Sequence, residues 1–113
     1  MSAQKVINCC KKQNSRRIIW GGANPNTGFD CSGLVVYCFK QGAGISLPHF
    51  TGDLIKKGTP VKKKDLKPGD LIFPNDHHVG IYIGNGEFIH APQTGDVVKI
   101  SKVAKFYTAR RLL

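Results

Sequence analysis

Apolar and polar positions follow two rhythms along the chain. In residues 2–17, Val6, Cys9, Cys10 and Gln13 fall at helical spacing, and Gly and Pro are absent, which predicts a first helix. Residues 20–28, Trp-Gly-Gly-Ala-Asn-Pro-Asn-Thr-Gly, are dense in turn formers and read as a loop. Asp30 is a good N-cap for a second helix that carries Leu34, Val35, Cys38 and Phe39 and is expected to stop at Gly42. Further on, the period drops to two. Asp65-Leu66-Lys67-Pro68-Gly69-Asp70 reads as a turn into a strand at residues 71–73. Residues 78–83 alternate with β-branched and aromatic side chains, Gly84-Asn85-Gly86 signals a hairpin, and residues 87–91 form the return strand. Residues 97–100 and 107–112 supply two more strands. Helices first and a meander of strands after them is an α+β order, and the lack of helices between strands argues against a parallel sheet.

Length and charge narrow this picture. The 113 residues fit one domain spanning 1–113, without internal repeats or low-complexity tracts. Seventeen Lys and Arg against seven Asp and Glu give a net charge of +10, a field that favours anionic partners without saying which. The basic residues are spread out, from Lys11, Lys12, Arg16 and Arg17 through Lys62 to Lys64 to Arg110 and Arg111. Nucleic acid is not expected, because no stretch interleaves aromatic and basic residues on a strand. The first residues lack the apolar stretch and small-residue cleavage site of a signal peptide, and no run reaches the ~20 apolar residues of a membrane span. A monomer is expected. Cys9, Cys10, Cys31 and Cys38 lack zinc-site spacing. Cys31 and Cys38 would lie about 10 Å apart along a helix, too far for a disulfide. Reduced thiols are expected, with no metal and no organic cofactor.

Chemistry converges on Cys31. One residue past the predicted N-cap, it sits in the first turn of a helix, where partial positive charge and free N–H groups favour a thiolate and can stabilise an oxyanion. The glycines before it permit close approach of a substrate backbone. A thiol nucleophile needs a base, and His78 opens a strand that can point an imidazole at that helix start. A tight hairpin centred on Asn85 sets residue 78 opposite about residue 92, which makes His90 the near-diagonal neighbour of His78 on one face. His90 then orients the base. Each residue alone is better read as structural; the three together favour catalysis.

These residues resemble a known family. Trp20-Gly21-Gly22, Gly28-Phe29-Asp30-Cys31-Ser32-Gly33-Leu34-Val35, Leu66-Lys67-Pro68-Gly69-Asp70-Leu71, His78-Val79-Gly80-Ile81-Tyr82-Ile83-Gly84 and Ile89-His90-Ala91-Pro92 match, in order, the NlpC-type cysteine peptidases, papain-like endopeptidases of bacterial peptidoglycan. The resemblance implies a Cys-bearing helix packed on an antiparallel sheet of about five strands. It implies Cys31 as nucleophile, His78 as base and His90 as orienting residue. Asp30 and Ser32 would recognise the free amine of an L-Ala–γ-D-Glu stem peptide, with cleavage between γ-D-Glu and the diamino acid. Gly33, Trp20 and His77 complete the expected substrate-binding set. Trp20 reads as a packing anchor at the cleft rim, and His77 as a solvent-facing neighbour of the base. Stem peptides would be the partners and the location extracellular, and the positive charge adds anionic wall polymers as further candidates.

Some positions depart from the family pattern. The usual Tyr two residues before the Trp is Ile18, the usual Leu-Pro-Arg-x-Ser block reads Leu47-Pro48-His49-Phe50-Thr51, and the Gln that often follows is Leu54. His49 reads as a loop residue. Competing readings are an N-acetylmuramoyl-L-alanine amidase or acyl transferase using the same Cys and His, a non-catalytic wall-binding module, and a nucleic-acid binder suggested by charge alone.

Overall fold

The structure, a computed structural model, describes residues 2–113. Helix α1 spans Ser2–Lys12 and buries Val6, Ile7 and Cys10. The predicted continuation to Arg17 does not form, because a later segment captures the backbone there. Ser15 N–H donates to Val98 O at 2.8 Å, Val98 N–H to Arg16 O at 2.8 Å, and Ile18 N–H to Asp96 O at 3.0 Å. Ser15 itself turns the chain at φ 69°.

The loop predicted for residues 20–28 instead holds, with Phe29, a hairpin of two-residue strands, β1 (Ala23–Asn24) and β2 (Gly28–Phe29), too short for any alternation to reveal. Helix α2 then runs Cys31–Ala43. Asp30 caps it as expected, accepting from Gly33 N–H at 2.7 Å. The helix passes through Gly42 and ends at Gly44, whose φ of 68° closes the last turn. Gly42 has a different task. A Cβ there would stand 2.6 Å from Val6 Cα, so the missing side chain lets α1 cross α2 closely.

A short α3 (Thr51–Leu54), β3 (Thr59–Pro60) and a 3₁₀ turn (Lys63–Asp65) lead to the strands β4 (Leu71–Asn75), β5 (His78–Gly84), β6 (Glu87–His90), β7 (Lys99–Lys102) and β8 (Thr108–Arg111). They form one six-stranded antiparallel sheet in the order β3-β8-β4-β5-β6-β7. The fold is α+β. The sixth strand, β3, is an exposed edge of two residues, one of them Pro60, and so carries no readable period. β7 begins two residues later than the pattern predicted, because Val97 and Val98 are already paired with the segment after α1.

The core lies between α2 and one face of the sheet. Leu34, Val35, Cys38 and Phe39 of α2 meet Leu71, Phe73, Val79, Ile81 and Ile89, all fully buried. Each such side chain contributes on the order of 1.5–3 kcal/mol of transfer free energy. The alternation of β5 and β6 sends His78, Gly80, Phe88 and His90 to the other face. Below the site, Arg111 clamps the turn before β4. Its Nε and Nη2 each donate at 2.8 Å to the Asp70 carboxylate, which is 2% exposed and also accepts from Lys67 N–H.

Candidate active site

Cys31 is the first residue of α2, so its thiol stands at the positive end of a helix of 13 residues. The Asp30 carboxylate takes Gly33 N–H and the Asp30 carbonyl takes Leu34 N–H, at 2.7 and 3.0 Å. The helix start is pressed against the glycine loop. A Cβ on Gly33 would fall 1.9 Å from Gly22 O, so only Gly fits there. Asp30 N–H donates back to Gly22 O at 2.9 Å and Gly21 N–H to Asp30 Oδ2 at 2.9 Å, which ties the loop to the cap.

The half-buried thiol has two polar neighbours, Thr51 Oγ1 at 3.7 Å and the His77 carbonyl at 3.9 Å. The segment that begins β5 is therefore brought against the helix N-terminus. The His77 ring itself turns outward, its side chain 88% exposed and 3.3 Å from Asp76 Oδ1. His78 turns inward, and its Nε2 lies 2.7 Å from His90 Nδ1. The hairpin sets this contact. Asn85 and Gly86 both have positive φ, 55° and 74°, as a tight two-residue turn requires. The turn closes on the pair Gly84–Glu87, and a one-residue register shift between Tyr82 and Gly84 then pairs Gly80 with His90, which leaves His78 on the diagonal to His90. On its far side, His90 Nε2 meets Ser101 Oγ of β7 at 2.9 Å, and its ring stacks on Phe88 with centroids 4.1 Å apart.

Burial lowers the pKa of His78. It lowers that of His90 further, to about 4, and the neighbouring His78 and Lys99 act in the same direction against Asp96. Both rings are accordingly neutral near pH 7. Two thiols away from the helix start are shifted upward. Cys9 is pushed up by its hydrogen bond with Cys38 and by burial, and Cys38 chiefly by burial.

A cleft of about 770 Å³ opens over Cys31, walled by Ile18, Trp20, Gly21, Asp30, Ser32, His49, Phe50, Thr51, His77 and Pro92, among others. A larger groove of about 1170 Å³ beside residues 58–67 and Arg111 contains neither thiol nor imidazole, whereas the smaller one is lined by Cys31, His49 and His77. Trp20 lines the rim, but it is 86% exposed and anchors no packing, because the loop carries its ring past the edge of the core. Phe50, 62% exposed, lines the cleft as well. Ile18 is buried in the wall and brings no hydroxyl. His49 is more than a loop residue. Its Nε2 lies 2.7 Å from Asp30 Oδ1, the oxygen that also caps α2. Ser32 Oγ reaches the same oxygen at 3.4 Å. His49, Thr51 and Ser101 are the polar residues whose placement near the site depends on long-range folding and shows in no local pattern. Among the described residues no group of three or more His, Cys, Asp or Glu side chains is placed to hold a metal ion, and no helix is long and apolar enough to cross a membrane.

A family model described as the NlpC/P60 family matches residues 16–113. The chain belongs to the NlpC/P60 family. Among its relatives is the murein DD-endopeptidase MepH of Escherichia coli (strain K12), 38% identical over 117 residues, with 96% of this chain and 43% of MepH covered. The gamma-DL-glutamyl hydrolase of Bacillus subtilis (strain 168) is 43% identical over 79 residues, with 68% of this chain and 19% of that protein covered. This NlpC/P60 domain thus spans less than half the length of these curated relatives. The crystal structure of the NlpC/p60 domain of peptidoglycan hydrolase SagA superposes with a TM-score of 0.90 at 32% identity, covering 97% of this chain and 98% of that one.

Proposed function

We propose that this NlpC/P60 domain is a cysteine endopeptidase acting on the stem peptides of bacterial peptidoglycan, outside the cytoplasm. The observation that carries the reading is the thiol of Cys31 at the start of α2, 3.9 Å from the carbonyl of His77, with the hydrogen-bonded His78–His90 pair beginning at the next residue of the chain. In this mechanism His78 Nε2–H donates to His90 Nδ1, and His78 Nδ1 accepts the proton of Cys31. The thiolate attacks the scissile carbonyl, and the N–H groups at the start of α2 receive the developing oxyanion. His78 returns its proton to the leaving amine. Water then enters, its proton passes to His78, and hydrolysis of the thioester releases the acyl product and restores the thiol. The endopeptidase names of the relatives support this chemistry.

The finer reading is cleavage between γ-D-Glu and the diamino acid of a stem with a free N-terminal L-Ala, with Asp30 and Ser32 at the amine and Trp20 and His77 beside the bound peptide. One observation favours a second reading. Asp30 already receives Gly21 N–H, Gly33 N–H and His49, which leaves little for a substrate ammonium. Cleavage of a D,D peptide bond, the activity that the name of the murein DD-endopeptidase MepH gives for that protein, needs no such amine. The basic surface supports contact with anionic wall polymers.

The deciding experiment is mass spectrometry of purified muropeptides incubated with the protein and with Cys31→Ala. Release of L-Ala–γ-D-Glu, free or disaccharide-linked, only by the unmodified protein establishes the first bond. Conversion of cross-linked dimers to monomers establishes the second. Release of intact stem peptides would point to an amidase, and identical products from Cys31→Ala would overturn the assignment of the nucleophile.

A further inference from the structure

We infer that Ser101 is a positioning residue that holds His90 in the one tautomer able to orient His78. The inference rests on the peptidase reading above for its consequence, but not for its geometry.

Three polar side chains lie along a diagonal across three neighbouring strands. Gly80 of β5 pairs with His90 of β6, and His90 pairs with Lys99 of β7. His78 is two residues from Gly80 and Ser101 two residues from Lys99, so each next polar group is one diagonal step away. The contacts are 2.7 Å from His78 Nε2 to His90 Nδ1 and 2.9 Å from His90 Nε2 to Ser101 Oγ.

Proton placement along this line is over-determined. For His78 Nδ1 to accept a proton from Cys31, the proton of the neutral His78 ring must sit on Nε2. His90 Nδ1 must then be a bare lone pair, and the His90 proton must sit on Nε2. That N–H needs an acceptor, and the Ser101 hydroxyl supplies it. Without the hydroxyl, the His90 proton is free to move to Nδ1. Two N–H groups would then face each other over 2.7 Å unless His78 also switched its proton to Nδ1, the atom required as base. The state of one serine is thereby transmitted through two rings to the nucleophile. His90 is 8% exposed and stacked on Phe88, so it cannot readily turn to another partner.

The test compares Ser101→Ala and Ser101→Thr in the whole chain. Long-range proton–nitrogen NMR of labelled imidazoles reads the tautomers without any turnover, so a failure here is separable from a failure of the peptidase reading. In the unmodified protein His90 should carry its proton on Nε2 alone. In Ser101→Ala both tautomers should appear at His90 and His78, and kcat on muropeptides should fall about tenfold with KM within about twofold. Ser101→Thr should restore both. A single His90 Nε2–H tautomer in Ser101→Ala with kcat within about twofold overturns the inference. So does a loss of rate that tracks a lowered melting temperature and is not restored by Thr.

Discussion

Adding one methyl group at Gly80 should disable the site from within the sheet. Gly80 pairs with Ile72 on one side and His90 on the other. A Cβ there would meet Phe88 Cδ2 at 2.4 Å, His90 Cβ at 2.9 Å and Ile89 O at 2.9 Å. Ordinary contact begins near 3.4 Å, so the Phe88 ring must retreat by about 1 Å. Ile89 belongs to the ladder between β5 and β6 and cannot yield cheaply. Phe88 is stacked on His90, so its retreat carries the imidazole away from His78. Overpacking of this kind costs roughly 1–3 kcal/mol, a fall in melting temperature of roughly 4–15 °C for a chain of this size. A displacement of 1 Å in a catalytic group can cost about a hundredfold in rate. Melting by circular dichroism and turnover of muropeptides should therefore both fall in Gly80→Ala. Gly86→Ala is the control. It strains a positive φ of 74° at the hairpin tip, but nothing lies within 4 Å of its added Cβ, so rate should persist. A Gly80→Ala protein with unchanged melting and unchanged rate would refute the argument.

The remaining expectations concern the base, the buried carboxylate and pH. His78→Ala should abolish turnover while His77→Ala retains most of it, since the His77 ring is turned to solvent; equal losses would reassign the base. Asp70→Ala should cost about 1.5–3 kcal/mol in urea unfolding, because it removes a buried carboxylate with three donors while the Arg111 it leaves behind reaches water; a loss under about 0.5 kcal/mol would show that the pair contributes little. The His90 pKa falls from 6.5 to about 4 on folding, so the unfolded chain binds the proton first. Stability should be fully present above pH 6.5 and decline toward pH 4, by at most about 3 kcal/mol from this group. His90→Gln should flatten that slope, and an unchanged slope would assign it to other groups.

Much of the site was legible because its determinants are local. Asp30 caps α2 through its own side chain, and counting outward from Asn85 reaches the observed pairing near His78 and His90 because a one-residue shift between Tyr82 and Gly84 offsets the two-residue turn. Where a partner distant in sequence decides, the pattern is silent or misleading. The end of α1 depends on the strand-like capture of residues 15–18 by residues 96–98. Gly42 looks like a helix stop, yet it serves the crossing of α1 over α2. No tight turn joins β6 to β7, so the register that brings Ser101 to His90 could not be counted. His49 lies 19 positions after Asp30, beyond α2 and in a loop with no periodicity to read.

The contrast among the four thiols has a practical consequence. Cys10 and Cys38 are fully buried; the thiolate form of Cys9 is suppressed by its hydrogen bond with Cys38 and by burial, and that of Cys38 by burial and by its hydrogen bond with Cys10. Cys31 opens into the cleft at the start of α2, whereas Cys9, which lines a smaller groove beside Gln13 and Tyr37, has its thiolate form suppressed. A mild alkylating reagent near neutral pH should therefore consume one equivalent per folded chain and stop. The protein carries a built-in count of its own competent molecules, and unfolding would raise that count from one to four.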